Sequence, residues 1–358
     1  MASPGGGRAG VERSFEKGMD SFLAYRLDFL CEAVTAIEMP LNKGSMLRGA
    51  FFEALRRDFC LNKAVTSCLS CPTADVCPIC RLVATVDRES SRGAEVPRPF
   101  TLQPIMSNVL RYDEGTDFSF GITLFGQALS LFPYVVLAVQ RMGELGLGRR
   151  DVAPGRFRLN EVWTSNPLTG ARKRLYSHHD RMVAVPDIPI THQDVLRHCA
   201  GLSQRQISLE LLTPVRLVSN GALVHQLDFA PLMRRLLRRL TELYQHFCGE
   251  RLEADFPALL DGAEKVRLTR DSTHWRDLSS YSRRRQARTP IGGLVGEVIF
   301  EGELGPFLPY LVWGQFTHVG KDATRGNGWY RVRDEGEGER VEGEGRNVEG
   351  EWGQAIVS

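Results

Sequence analysis

The spacing of apolar and polar positions predicts alternating strands and helices in the first half of the chain. Strands have a β-rich, partly alternating pattern, whereas helices repeat apolar residues at spacings of three and four. In one predicted helix, Leu47, Phe51 and Leu55 form such an apolar face, and Asn42 is a candidate N-cap. By these criteria the strands are 21–33, 118–126 and 156–164, and the helices are 41–60 and 128–145.

The second half repeats this order after a stretch at 166–202 that is predicted to be irregular. The helix at 229–248 has the clearest pattern, since Leu232, Leu236 and Leu240 recur on its apolar face. The other predicted elements are strands at 206–221, 293–304 and 329–333 and a helix at 306–320. This order predicts an α+β protein with two ferredoxin-like (RRM-like) domains in tandem, each a helix pair on one antiparallel sheet.

Shifts in composition give the expected domain boundaries. Two ferredoxin-like domains at 19–203 and 204–333 are expected, with a four-cysteine insertion at about 61–104 in the first. A flexible leader at 1–18 and a disordered acidic tail at 334–358 flank them. The tail is dense in charge and poor in apolar residues, so it cannot form a core of its own.

Composition and charge narrow the function classes. Hydrophobic residues make up 42% of the chain and charged residues 25%, as in a globular soluble protein. No apolar run is long enough to cross a membrane, and the first residues contain no apolar signal core, so the cytoplasm is the expected location. The tail carries a net charge of −6 and the preceding body +8, within a total of +2. A basic body favours an anionic partner such as nucleic acid.

Four cysteines form a closely spaced motif. Cys68, Cys71, Cys77 and Cys80 follow the pattern C-x2-C-x5-C-x2-C. Two C-x2-C turns can direct four thiolates to one tetrahedral zinc ion, and a site with no open position would be structural. An iron–sulfur cluster and unligated thiols are the alternatives.

A basic segment and a glycine-rich loop point to RNA. Residues 265–290 carry a net charge of +6, with Trp275 and Tyr281 interleaved; arginines bind phosphates and aromatic rings stack on bases. A solvated basic face is the plainer interpretation.

The loop at 318–328 holds three glycines and two cations, and exposed backbone N–H groups there could hold phosphate oxygens. It is not a Walker loop, because it follows a helix and lacks the G-x-x-x-x-G-K-[ST] pattern.

The run GGLVGEVIFEGELGPFLPYLVWGQFTHVGKDATRGNGWYRV, at 292–332, resembles the C-terminal signature of the CRISPR-associated endoribonucleases that process precursor crRNA, within the RAMP superfamily. The upstream WRDLSSYSRRRQ and the helical MLRGAFFEAL are similar to the same pattern. The resemblance implies two tandem ferredoxin-like domains whose glycine-rich loop and basic groove hold CRISPR repeat RNA. The residues expected to contact RNA are His318, Gly320, Lys321, Arg325, Gly326, Gly328, Arg283, Arg284 and Arg285.

The resemblance also implies a cut that needs no metal ion. The 2′-OH of the RNA attacks the adjacent phosphate and leaves a 2′,3′-cyclic phosphate and a 5′-OH, which requires proton carriers and cations. Many members of the family place a histidine in or near the first helix, whereas this chain has none before His178. Lys43 and Arg48 at the start of that helix, and Tyr25 on the preceding strand, are therefore the catalytic candidates; for the two cations, ordinary surface charge is the alternative.

Two other functions stay open at this stage. A non-catalytic RAMP subunit that holds crRNA in a CRISPR effector complex is one, because the early histidine is missing. A zinc-containing protein–protein adaptor is the other, with the cysteine insertion and the acidic tail as docking elements. Other subunits of a CRISPR effector complex are accordingly expected partners, and a membrane is not.

Overall fold

A five-stranded antiparallel sheet underlies the first half of the chain. The computed structural model describes residues 19–65, 67–85, 96–149, 152–219, 221–282 and 287–334. The strands are β1 Ala24–Ala33, β2 Ile37–Glu38, β3 Phe100–Gln103, β4 Arg111–Tyr112, β5 Asp117–Phe125, β6 Phe157–Asn166 and β7 Ala171–Ser177. The helices are α1 Lys43–Phe59, α2 Pro78–Leu82, α3 Phe132–Leu145 and α4 His192–Cys199. The sheet order is β3-β5-β1-β6-β7, while β2 and β4 pair separately.

Alternation along β1 explains which face of this sheet is covered. Leu27, Phe29 and Cys31 point to one side and are fully buried together with Phe51 of α1 and Val135 of α3. Both helices therefore pack on that face. The order β3-β5-β1-β6, with a helix after β1 and another after β5, is that of a ferredoxin-like domain.

The second half repeats the arrangement. Its strands are β8 Gln206–Val215, β9 Val218–Ser219, β10 Ala222–Leu223, β11 Arg267–Asp271, β12 His274–Arg276, β13 Ser279–Ser282, β14 Ala287–Pro290, β15 Gly293–Glu301 and β16 Tyr330–Arg333. Its helices are α5 Phe229–Cys248, α6 Phe256–Ala263 and α7 Leu308–Thr317. The main sheet runs β11-β15-β8-β16, and β12 also pairs with β15. The predicted fold class is confirmed: two ferredoxin-like domains follow each other.

The first domain has a core of its own, and the apolar core of the second domain extends across the boundary into the first. Phe22 and Phe125 of the first domain pack in the same cluster as Trp313 of α7, and the rings of Phe22 and Trp313 are 4.7 Å apart. Helix α7 is buried on nearly all sides, because it lies between its own sheet and the first domain. The Thr101 hydroxyl of β3 donates to the Phe316 carbonyl across the same boundary, at 2.6 Å. This packing fixes where the segment after α7 enters the first domain.

Three regular elements lie where the sequence predicted an irregular stretch or an insertion. Strand β7 and helix α4 lie within 166–202, and α4 begins with a capping box in which Thr191 and Asp194 satisfy each other's backbone N–H groups. Strand β3 lies at the end of the stretch assigned to the cysteine insertion and is an integral strand of the sheet. Each of these elements is short, so periodicity over so few residues carries little signal.

None of the helices in the described part of the chain is long and apolar enough to cross a membrane.

Candidate nucleic-acid interface

The glycine-rich loop at 318–329 connects α7 to β16 and packs against the first domain. A Cβ atom added to Gly44, in the first turn of α1, would lie 1.9 Å from the Arg325 carbonyl oxygen. One added to Gly326 would lie 2.7 Å from the side chain of Pro104, just after β3. Real Cβ atoms do not approach so closely, so glycine on both sides permits this contact.

The loop's own path also requires glycine. Gly320, Gly326 and Gly328 have φ angles of 84°, 85° and 76°, a region that residues with a Cβ rarely occupy. A Cβ on Gly328 would lie 1.9 Å from the Val319 carbonyl oxygen. The sequence suggested that these glycines let the backbone approach a ligand. In the described structure Gly326 lets the backbone approach the first domain, whereas Gly320 and Gly328 approach the Arg216 and Val319 carbonyl oxygens of the second.

The buried side chain of His318 holds the loop in place through ring stacking and hydrogen bonds. The side chain is fully buried, and its ring stacks on that of Trp329 with centroids 6.1 Å apart. Burial, with Arg239 nearby, lowers the pKa of His318 to about 3, so the ring is neutral at neutral pH. Nδ1 lies 3.1 Å from the Asn327 carbonyl and Nε2 lies 3.4 Å from the amide nitrogen of Gln103. These contacts assign the proton to Nδ1, which donates to Asn327 while Nε2 accepts from Gln103.

Near one end of the loop, Arg325 lies close to two arginines of the first domain. Arg48 of α1 and Arg98 both donate to the Val83 carbonyl, at 3.1 and 2.9 Å. Burial and the charges of Arg98 and Arg325 lower the pKa of Arg48 to about 9. Asp322 pairs with Arg325 at 3.3 Å. Like charges this close repel one another, so an anion placed among them would be strongly favoured.

Arg239 of helix α5 extends this group. Its Nε donates to the Thr317 carbonyl at 2.5 Å, and its Nη2 is buried without a hydrogen-bond partner among the described residues. Burial and the charge of Arg98 lower its pKa to about 10, against an opposing effect of Glu242. We refer to Arg48, Arg98, Arg239 and Arg325 as the arginine cluster.

The other end of the loop lies beside an aromatic ring of the second domain. The backbone N–H of Lys321 donates to the Arg216 carbonyl at 3.0 Å, and the Lys321 side chain is exposed. The Arg216 guanidinium lies 5.7 Å from the centre of the Trp275 ring. The exposed His225 ring lies 4.7 Å from the same tryptophan. We refer to Arg216, His225, Trp275 and Lys321 as the basic–aromatic patch.

The three catalytic candidates are not brought together. Lys43 is the first residue of α1; its buried ammonium donates to the Ser107 carbonyl and lies 5.5 Å from the Tyr112 ring centre. Burial lowers the pKa of Lys43. Arg48 lies five residues further on, which places it on a different side of the helix, toward the arginine cluster. Tyr25 lies opposite Leu124 in the sheet, and burial raises its pKa.

Some RNA-binding residues proposed from the sequence lie outside the described structure, and two members of the arginine cluster were not predicted. Arg283, Arg284 and Arg285 lie outside the described residues. Arg98 was missed because it follows a polar stretch with no periodic signal, and Arg239 because it is one of four arginines on α5. The apolar pattern of α5 narrows the choice to Arg235 and Arg239, which border the buried face, whereas Arg234 and Arg238 are exposed.

The four cysteines of the motif surround one small space. Cys68, Cys71, Cys77 and Cys80, with Cys60, line a cavity of about 70 Å³, and all are free thiols. Within the part of the chain that the structure describes, no three His, Cys, Asp or Glu side chains are arranged to hold a metal ion. The zinc site therefore stays a prediction.

Comparison with family models shows what the second domain is. The model described as CRISPR-associated endoribonuclease Cas6 matches residues 209–330, which span that domain from β8 to β16. The second domain is a Cas6-type domain. A further model, described as an N-terminal domain, matches residues 22–188. The predicted relationship to the CRISPR-associated, repeat-processing endoribonucleases is thus confirmed at the level of the family.

Solved structures agree on the fold of the whole chain. A Cas6 product complex matches with a TM-score of 0.53 at 14% identity, covering 87% of this chain and 100% of the other. The Cas6 of Thermus thermophilus matches with a TM-score of 0.50 at 13% identity, covering 87% and 99%. A partial Cas6-RT-Cas1–Cas2 complex matches with a TM-score of 0.52 at 16% identity, covering 87% of this chain but 46% of that longer one. No curated protein matches the chain.

Proposed function

We propose that this protein cuts CRISPR repeat RNA in precursor crRNA, and that the RNA 2′-OH is the nucleophile. One observation carries the proposal. The loop at 318–329, inside the region that matches the Cas6 model, joins the basic–aromatic patch of one domain to the arginine cluster at α1 of the other. A single strand that follows this loop would meet a stacking ring and then a group of cations, the two features that hold RNA.

The arginine cluster suits the charge that develops during transesterification. Attack of the 2′-OH places extra negative charge on the non-bridging oxygens of the phosphate, and preorganised cations stabilise that charge. Burial lowers the pKa of Arg48 most, and the charges of Arg98 and Arg325 lower it further, so a phosphate among these arginines would relieve repulsion as well as gain hydrogen bonds. Holding the phosphate here would also align the 2′-OH with the leaving 5′-oxygen.

Two side chains are proposed to move the protons. The lowered pKa of buried Lys43 makes its ammonium a readier proton donor and its amine more accessible as a base. It would have to leave the Ser107 carbonyl to reach an RNA at the arginine cluster. The Lys43 amine is proposed to take the proton of the 2′-OH, and the Tyr25 hydroxyl, whose pKa is raised by burial so that it is protonated at neutral pH, to give one to the leaving 5′-oxygen. His318 takes no part, since its buried ring already uses both nitrogens.

The test is incubation of purified protein with end-labelled cognate repeat RNA in EDTA, followed by analysis of the product ends. A single cut that leaves a 2′,3′-cyclic phosphate and a 5′-OH is expected. Tight binding without a cut would contradict the endonuclease and point to a crRNA-holding RAMP subunit. Absence of salt-sensitive binding would contradict both and point to an adaptor, because phosphate contacts weaken as salt rises. The comparisons favour neither alternative.

Other CRISPR proteins are proposed as further partners. The support is limited to one solved relative, whose Cas6 part lies in a Cas6-RT-Cas1–Cas2 complex. Co-purification of the full chain with the products of its neighbouring CRISPR genes would test this. Recovery of the protein alone, with RNA only, would contradict it.

A further inference from the structure

The cysteine motif forms two backbone turns that face each other across a small cavity. Cys68 begins a 3₁₀ turn, and the Cys71 N–H donates to the Cys68 carbonyl at 3.2 Å. Cys77 is the N-cap of α2, with Pro78 next to it, and Cys80 lies within α2. Each turn thus directs two thiols to the same side.

The thiols already touch one another. The Cys80 thiol hydrogen-bonds with the thiols of Cys68 and Cys77. Cys71 and Cys80 are only 6% and 4% exposed, so the cluster is closed to solvent on one side. The cavity between them leaves room for the side chains to rotate about their Cα–Cβ bonds and for an ion to enter.

Hydrogen-bond donors are aimed at one of the sulfur atoms. The Asn62 amide donates to Cys71 Sγ at 3.5 Å, and the Thr73 hydroxyl lies 3.4 Å from it. Asn62 and Thr73 are themselves joined at 3.1 Å. Donors fixed in this way around a sulfur stabilise a thiolate and orient it, as the groups around a metal ligand do. A cluster of inert structural thiols would need no such donors.

We propose that Cys68, Cys71, Cys77 and Cys80 bind one Zn²⁺ ion as four thiolates. Side-chain rotation would replace the thiol–thiol hydrogen bonds by four Zn–S bonds, and the four thiol protons would pass to solvent. Cys60 lines the same cavity but lies before the first C-x2-C turn, at the end of α1, and is not a ligand. The closed thiolate set leaves no position for a substrate, so the ion is structural.

The ion would also brace the arginine cluster, an inference that rests on the proposed function. Helix α2 carries Cys80 and ends at Leu82, and the next residue, Val83, gives its carbonyl to both Arg48 and Arg98. Leu82 and Val83 are buried in the core of the first domain. Fixing Cys77 and Cys80 on an ion therefore fixes the acceptor that orients two of the four arginines.

The metal itself is tested without RNA. Elemental analysis of the wild-type chain, purified without chelator, should give one zinc per chain, and Cys68→Ser and Cys80→Ser should lose it. Cys60→Ser is the matched control and should retain it. Because a ligand variant could fail to fold, the wild-type chain is also titrated with Co²⁺, which should give the thiolate-to-cobalt charge-transfer and tetrahedral ligand-field bands. Iron in place of zinc, no metal with no cobalt signal, or loss of zinc in Cys60→Ser would overturn the assignment.

The brace is tested by removing zinc from the wild-type chain and adding it back. Affinity for the repeat RNA should fall about 10-fold on removal, roughly the effect of losing one hydrogen bond to a charged group, and should recover on reloading. In the Arg48→Ala/Arg98→Ala double variant, removal should have little further effect, since both braced side chains are gone. Zinc that binds but leaves RNA affinity unchanged on removal would overturn the brace. If the zinc-loaded protein binds no RNA at all, the proposed function fails while the metal assignment stands on its own measurement.

Discussion

The loops that join the second helix to the fourth strand of each ferredoxin-like repeat occupy the same place in the fold but pack in different directions. In the first domain, this connection runs from 146 to 156, with residues 150 and 151 outside the described ranges. Its glycines pack on their own domain: a Cβ on Gly155 would lie 2.2 Å from the Ala36 carbonyl oxygen. The Arg149 N–H donates to the Glu38 carbonyl at 2.7 Å, again within the same domain.

In the second domain, the equivalent loop at 318–329 packs on the other domain. It is similarly rich in glycines with positive φ. Gly320 approaches the Arg216 carbonyl of its own domain, yet Arg325 and Gly326 make close contacts with Gly44 and Pro104 of the first domain. Glycine content therefore predicts a tightly folded backbone in both loops and does not predict a ligand in either. The second loop is a candidate for function because it places Arg325 in a cluster with three other arginines. Two of these, Arg48 and Arg98, belong to the first domain, and Arg239 belongs to the second.

The largest effect is expected from a substitution that prevents the loop at 318–329 from packing on the first domain. Gly44→Ala places a methyl group 1.9 Å from the Arg325 carbonyl, so the loop or the start of α1 must move. We expect a loss of about 1–3 kcal/mol in the free energy of unfolding, from overpacking, together with loss of repeat-RNA cleavage. Urea unfolding and the cleavage assay measure the two effects.

Gly49→Ala is the matched control for that variant. It lies in the same helix with nothing within 4 Å of an added Cβ. Alanine favours helix over glycine by up to about 1 kcal/mol, so this variant should be slightly more stable and fully active. Equal stability of the two variants would show that the contact between Gly44 and Arg325 does not restrain the loop.

Removal of the arginine that crosses between the domains comes next in expected effect. Arg325→Ala should weaken binding of the repeat RNA by about 1.5–3 kcal/mol, the range for hydrogen bonds to charged groups, and should slow cleavage further. Arg48→Ala should act alike, and the double variant should lose less than the sum because both hold one phosphate. Filter binding at several salt concentrations provides the measurement.

Arg205→Ala serves as the control for these charge removals. Arg205 pairs with Glu303 on the surface, with both side chains 72% exposed. Its removal should leave affinity and cleavage unchanged. If Arg325→Ala behaves like Arg205→Ala, the arginine cluster is not where the phosphate binds.

A pH experiment tests the internal fastening of the loop. The folded-state pKa of His318, about 3, lies below its usual value near 6.5, because burial disfavours the charged ring. The unfolded chain therefore binds a proton that the folded chain cannot, and stability falls as pH drops from about 6.5 toward 3. Between pH 7 and 5 the loss should be up to about 2 kcal/mol from this residue.

His318→Gln should flatten that dependence, whatever its stability at pH 7. His192, which is also buried and has a lowered pKa, contributes a slope of the same sign that the variant retains. The exposed His274→Gln is the control and should keep the wild-type slope. A slope unchanged in His318→Gln would mean that the loop does not keep this ring out of water.

Sequence predicted the repeated fold well and the site in part, for a physical reason. Long amphipathic helices such as 229–248 and alternating strands such as β1 carry their signal locally, within one element. The arginine cluster does not, because Arg98 and Arg239 become neighbours only when a helix of the second domain packs against the first. Helical periodicity identified the apolar face of Leu47, Phe51 and Leu55 but could not show that Val83 would orient the neighbouring Arg48. Local pattern likewise identified the loop glycines without showing which surface they approach.

The smallest expected effect concerns the exposed end of the bridging loop. Lys321 contributes its backbone N–H to the Arg216 carbonyl, and its side chain is free to meet a phosphate. Lys321→Ala should leave the unfolding free energy unchanged, since the backbone contact survives. It should weaken RNA binding a few-fold at low salt and reduce the slope of log affinity against log salt by about 0.7, one phosphate contact on a single strand. Lys173→Ala, on the edge strand β7 where Lys173 pairs with Asp187, should change neither quantity. If both variants keep the wild-type salt slope, the RNA path does not run over the Lys321 end, and the loop would serve the site through Arg325 alone.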